Sequence, residues 1–173
     1  MRKYLVILWV LLGVTLFAQT GQKIGYVDSQ IILTQLPEAI KAQSDLDALT
    51  SLWSNQLDSM TLAYQQLLTD YQKQSSTMTE DQKLAKQQEL IAMEQKILAF
   101  RNQKFGQPNG EIYLKQGQLF EPVKKKIYGA IEQIAKGEGM QFIFDKSGDI
   151  ILLYADAAFD ITFKVLDNLK RGK

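Results

Sequence analysis

Residues 80–119 read EDQKLAKQQELIAMEQKILAFRNQKFGQPNGEIYLKQGQL. In this stretch Leu84, Ile91, Leu98, Phe105, Ile112 and Leu119 recur at every seventh position, which places them near one stripe of a helix. The residues before it carry a matching ladder, Leu46, Trp53, Met60 and Leu67, with Leu49, Leu57, Tyr64 and Tyr71 beside it. Between the two lies Ser75-Ser76-Thr77-Met78-Thr79, a polar break with two candidate capping boxes, Thr79 with Gln82 and Thr77 with Glu80. Two apolar stripes joined by a tight polar turn predict an antiparallel helical hairpin over about 38–135, with the two ladders packed on each other. A first leg of about 37 residues would reach roughly 55 Å at the helical rise, so the sequence predicts an arm. The second leg is interrupted by Gly106-Gln107-Pro108-Asn109-Gly110, yet the ladder continues across it. That pattern predicts a local loop or hinge within one continuing leg. No strand precedes these glycines and no Gly-Lys-Ser/Thr follows, which argues against a phosphate-cradling loop.

The flanking segments predict a small β-containing body from 24–36 and 122–173. Ile24–Val27 is a strand candidate over about 24–28, and Asp28-Ser29 caps a short helix that Pro37 ends. Val123, Ile127, Ile131 and Ile134 continue the helical period to Gly137-Glu138-Gly139. Strands are expected at 140–145 and 150–154, joined as a hairpin through Lys146–Asp149. The run Ile150-Ile151-Leu152-Leu153-Tyr154 is apolar on both faces and needs cover on both. Asp156 and Asp160 are caps, and Ile161, Val165, Leu166 and Leu169 form the apolar face of a last helix. The fold class is therefore α+β. A body of some 65 residues with open strand edges is marginal alone, and copies of the same chain are the simplest cover.

The chain has 173 residues and neither Cys nor His. Thiol nucleophiles, disulfides, imidazole ligands and Ser-His-Asp triads are excluded together. Asp45 with Asp47 and Asp156 with Asp160 sit at caps or on a polar helix face, so no catalytic constellation, cofactor site or metal site is read, and the protein is not expected to be an enzyme. Arg2-Lys3, the apolar run Leu5–Leu16 and Leu16-Phe17-Ala18 read as a cleaved export signal over 1–18. The remaining 19–173 is taken as one domain, with 38–121 its helical part. Without Arg2 and Lys3, 18 of the 20 basic residues face 19 acidic ones, a net of −1, which asks for no nucleic acid.

Several motifs taken in order carry a resemblance. They are Lys23-Ile-Gly-Tyr-Val-Asp28, Leu36-Pro37-Glu38, Phe105-Gly106 with Pro108-Asn109-Gly110-Glu111, and Pro122. Phe142-Ile143-Phe144-Asp145, Leu152-Leu153-Tyr154 and Asp160-Ile161-Thr162 follow. In this order, across nearly the whole mature chain, the sequence resembles the OmpH/Skp family of periplasmic chaperones. The resemblance implies a homotrimer in which strands of three subunits form one β-body and three helical arms enclose a cavity. It implies an ATP-independent holdase that keeps unfolded outer-membrane β-barrel proteins soluble, with a transient membrane or lipopolysaccharide contact as a further partner class. Lys124-Lys125-Lys126 is the candidate for that contact, although three lysines beside an apolar face are ordinarily its solvated side. Well-known members are strongly basic, whereas residues 38–120 here hold 8 Lys and Arg against 10 Asp and Glu, a net of −2. Apolar and adaptable contacts would then carry more of the holding. Trp53, Met60, Tyr64, Tyr71 and Met93 are the client-binding candidates, with seam packing the competing role for each. The alternative function is a structural coiled coil of the cell envelope that binds one folded partner.

Overall fold

The computed structural model describes residues 21–172. The export-signal reading of 1–18 lies outside them. In chain order the elements are β1 (Ile24–Val27), α1 (Ser29–Gln35), α2 (Pro37–Gln74), α3 (Glu80–Phe105), α4 (Glu111–Glu138), β2 (Phe142–Asp145), a 3₁₀ turn (Ala157–Phe159) and α5 (Thr162–Arg171). The chain divides into two compact units. One comprises the described parts of Met1–Ile32 and Ile127–Lys173, and the other is Leu33–Lys126.

In the first unit, β1 and β2 pair in parallel, with Ile24 opposite Phe142 and Val27 opposite Asp145. Gly25, Tyr26 and Val27 are all buried, as suits a strand covered on both faces. Its other edge meets Asp160 in an isolated parallel bridge opposite Tyr26, and the Ile161 N–H donates to the Tyr26 carbonyl at 3.0 Å. The expected hairpin of 140–145 with 150–154 is corrected here. Residues 150–154 form no strand and pair with nothing in β2. Within one chain this run finds no cover for its apolar faces, and Ile151, Leu153 and Tyr154 stay 85%, 93% and 84% exposed.

Three polar fastenings hold the unit. Asp28 Oδ1 accepts the Ile31 N–H and caps α1. Thr162, only 1% exposed, accepts the Asp28 N–H on Oγ1 at 2.9 Å and donates to Asp160 Oδ1 at 2.5 Å. Asp145 accepts the backbone N–H and hydroxyl of Ser29 and of Ser147. Burial is the largest single influence on Asp145 and raises its pKa, but these bonds together outweigh it and hold the carboxyl below its ordinary range. Burial, then the Asp160 and Asp156 carboxylates, pushes the Tyr26 phenol up. The expected apolar face of α5 is buried at Ile161, Val165, Leu166 and Leu169. Gly139 and Gly172, both at φ 67°, end α4 and α5 in the left-handed region that favours glycine.

In the second unit, α2 and α3 form the antiparallel hairpin. Pro37 opens α2 at its first position, where its missing N–H costs nothing. Thr79 and Gln82 form the capping box of α3, which decides between the two registers open in the sequence. The predicted break lies at 106–110 and is a packed corner. Gly110 is buried, and its N–H donates to the Gly106 carbonyl at 2.5 Å. A Cβ on Gly110 would come within 2.7 Å of the Gly106 backbone N and O, so only glycine fits without backbone movement.

Two substitutions test these constraints. Thr162→Val keeps the side-chain shape but strands the part-buried Asp28 N–H and removes the hydroxyl bond to the Asp160 carboxylate, and should cost about 1–3 kcal/mol in urea unfolding. Gly110→Ala should cost about 1–3 kcal/mol through the clash with Gly106, while Gly117→Ala, in open space on α4, should be neutral or stabilising.

Candidate functional site

The hairpin of α2 and α3 carries the candidate surface, and its register follows from two contacts. Trp53 meets Phe105 edge-on, with ring centroids 6.2 Å apart at 79°. Gln87 donates to the Tyr71 hydroxyl at 2.8 Å. Moving up α2 from Trp53 to Tyr71 thus matches moving down α3 by the same number of residues. The α2 ladder behaves as expected, with Leu46 and Trp53 buried and Met60 and Leu67 half-buried.

The α3 ladder does so only at Phe105, which meets Trp53. Leu84, Ile91 and Leu98 are 55%, 54% and 48% exposed, so they are not the seam. The inward set is Leu90, buried, with Met93, Ile97 and Phe100 half-buried. At about 100° per residue the exposed ladder lies roughly 140° round the helix from that set. The physical reason is spacing. Leu90, Met93, Ile97 and Phe100 recur at alternating threes and fours, which makes a continuous stripe, whereas a single residue every seven makes a thin one. Gln87, Gln88 and Gln95 lie between Leu84, Ile91 and Leu98 on this face, and Glu94 stands at its edge.

The five candidates now have places. Trp53 is only 7% exposed and is a seam residue, covered by Phe105 and by the Lys104 ammonium 4.9 Å above its ring. Met60, Tyr64, Tyr71 and Met93 are half-buried along the seam and keep part of their surface open. Met60 also lines a shallow groove of about 630 Å³ with Leu52, Ala99 and Phe100, bordered by Lys96 and Gln103. The structure brings these together as the borders of one hairpin and does not gather all five into one pocket.

Sequence reasoning missed two features. The outward-facing ladder was visible as a period, but a period does not say which way its stripe faces. The second is the cluster of Lys104, Trp53 and Glu111, in which Trp53 comes from a distant part of the chain. Lys104 Nζ lies 2.5 Å from Glu111 Oε2, and Gln103 Nε2 donates to Glu111 Oε1 at 2.8 Å. Lys104, followed by the Gln103 amide and Lys115, keeps the Glu111 carboxyl below its ordinary range against the opposing pull of burial. Among the described residues no group of three or more Asp or Glu side chains could hold a metal ion. Among them, too, no helix is long and apolar enough to cross a membrane.

The family described as outer membrane protein (OmpH-like) matches residues 23–169. Among solved structures, an OmpH-like protein of Caulobacter crescentus assigned as an outer membrane chaperone superposes with a TM-score of 0.72. It shares 13% identity, over 90% of this chain and 88% of that one, a likeness of fold. A search of curated proteins finds no match.

Truncation separates the two stripes of α3. Leu90→Ala should cost about 2–4 kcal/mol, and Ile91→Ala less than about 1 kcal/mol, in urea unfolding followed by circular dichroism. Equal costs would place Ile91 in a buried interface.

Proposed function

Because the chain belongs to the OmpH-like outer membrane protein family, we propose that it is an ATP-independent holdase of the periplasm. It binds unfolded outer-membrane β-barrel proteins and keeps them from aggregating before assembly. The observation that carries this reading is the apolar surface the hairpin leaves open. Leu52, Leu62, Leu84, Ile91 and Leu98 are between 48% and 64% exposed on two paired helices. A run of large apolar side chains along one element marks a contact surface for something else. The client contacts are this surface together with the open parts of Met60, Tyr64, Tyr71 and Met93. Flexible Met and amphipathic Tyr side chains re-pack against partners of no fixed shape. Such contacts act by exclusion of water and need no nucleotide.

Self-association belongs to the same reading, with a trimer as its expected form. Ile150, Ile151, Leu153 and Tyr154 are exposed in the single chain, close in sequence to β2, where Phe142 is 51% exposed. Copies of the chain would cover both. Export through residues 1–18 would place the protein where such clients pass. Lys124 and Lys125 remain exposed, while Lys126 is paired with Glu38, so a membrane or lipopolysaccharide contact would rest on the first two.

The second reading, a structural coiled coil with one folded partner, draws on the strict period of Leu84, Ile91 and Leu98. One experiment separates the two. Several unrelated β-barrel proteins are diluted from urea with the chain lacking 1–18, and light scattering is followed. The holdase should suppress scattering of all of them near stoichiometric ratio, and a triple change of Leu84, Ile91 and Leu98 to Gln should weaken suppression by about tenfold or more, on the scale of three lost apolar contacts. No suppression at about tenfold excess would overturn the holdase reading.

A further inference from the structure

The corner at 106–110 is closed by one ion pair. Lys104 sits in the last turn of α3 and Glu111 in the first turn of α4, on opposite sides of the break. Their charged atoms are 2.5 Å apart, with side-chain exposures of 16% and 33%. The pair is more enclosed than Lys41–Asp45 or Lys136–Glu132, whose side chains are 44–75% exposed. Lys104 is also held from a third helix, since its ammonium lies 4.9 Å from the Trp53 ring of α2 and 5.9 Å from Phe100. Glu111 is held a second time by Gln103. The only helical N–H···O=C bond across the break among the described residues is that from Gly110 to Gly106, so these side chains are the charged fastening at the break itself, while farther along α4 Lys126 pairs with Glu38 of α2.

We infer that Lys104 and Glu111 are the latch of an elbow between α3 and α4, closed on Trp53 and opened by neutralising either charge. The corner then has two arrangements. In the latched one, the direction of α4 is fixed relative to the hairpin seam at Trp53. In the released one, the two glycines and the interrupted backbone ladder let the corner and the first turns of α4 bend, because glycine restricts φ and ψ least, while Lys126 still ties α4 to Glu38 of α2. Charged hydrogen bonds in a partly enclosed site respond to both protons and salt.

The direction of the pH response follows from the groups around Glu111. Lys104 from α3, Lys115 from its own helix and the Gln103 amide all favour its charged form, and α2 presents the uncharged Trp53 ring. Its pKa is therefore below the ordinary 4.5. A lowered acid contributes fully above its ordinary value and is lost as pH falls through the lowered one, so the latch opens on the acid side.

The chain has no cysteine, so Gln95→Cys on α3 and Gln118→Cys on α4 admit two spin labels and no others. Labelled chain is diluted with unlabelled chain so that only distances within one copy are read. At pH 7 the unsubstituted pair should give one narrow distance distribution. Glu111→Gln should raise the population outside that peak by about tenfold, on the scale of one lost charged hydrogen bond. A second measurement at acid pH, below the lowered range of Glu111, should move the parent towards the Glu111→Gln distribution. Circular dichroism checks that helix content is kept. If Glu111→Gln loses it, Lys104→Met, which keeps the aliphatic stem over Trp53, is read in the same way. Superimposed distributions for parent and variant at both pH values would overturn the latch. The readout is geometry within one chain, so it stands or falls separately from the holdase reading.

Discussion

Trp53 is the fixed point of the helical hairpin. It is the largest buried side chain of the pair, and it meets α3 through Phe105 and Lys104 together. One indole therefore sets the register of two helices of 38 and 26 residues, because a slip by one helical turn would part it from both partners. Towards the tip the seam thins to half-buried Met60, Tyr64, Leu67 and Tyr71. Packing of that kind aligns the helices without sealing them, and leaves side chains able to change partners.

Part of the charge in the hairpin is neutralised by close pairs. Lys41 with Asp45, Lys83 with Glu80 and Lys86 with Glu89 are pairs along single helices, and Lys104 belongs to Glu111. Exposed pairs of the first kind add only a few tenths of a kcal/mol each. Their larger effect is to leave a surface of balanced charge interrupted by Leu84, Ile91 and Leu98. A partner meeting that surface finds apolar side chains and amides before it finds a net field. The near-neutral balance of this region is thus consistent with holding by apolar contact, and long-range attraction of charged partners has little to act on.

The β-unit shows the complementary situation. β1 is covered on both sides, by β2 and by the Asp160 bridge, and its polar ends are tied down through Thr162 and Asp145. Ile150–Tyr154, a run of strand-prone residues, is left exposed at all but Leu152. Strand propensity needs a partner edge to become a strand; in the single chain both edges of β1 are taken, and the run leaves the outer edge of β2 unpaired.

Much of this was legible in local sequence. The hairpin, its turn, the Gly-Pro break, the start of α1 at Asp28, the buried face of α5 and the pairing-competent strands near 24–28 and 140–145 all follow from period and capping, which act within a few residues. Where signals depend on distant partners, the sequence alone stopped short. The seven-residue period of Leu84, Ile91 and Leu98 was plain, but only the depth of the competing stripe at Leu90, Met93, Ile97 and Phe100 decides which one faces α2. The 150–154 run announced a strand, but whether it pairs depends on which edges remain open. Lys104, Trp53 and Glu111 look like an ordinary cation, a core aromatic and a first-turn acid until the fold superimposes them. Sequence determined which segments are helical, where they break and which residues are apolar enough to bury. Tertiary structure alone decided which stripe is inside, which strand edge is free and which charges meet, because those depend on competition among surfaces that no local window contains.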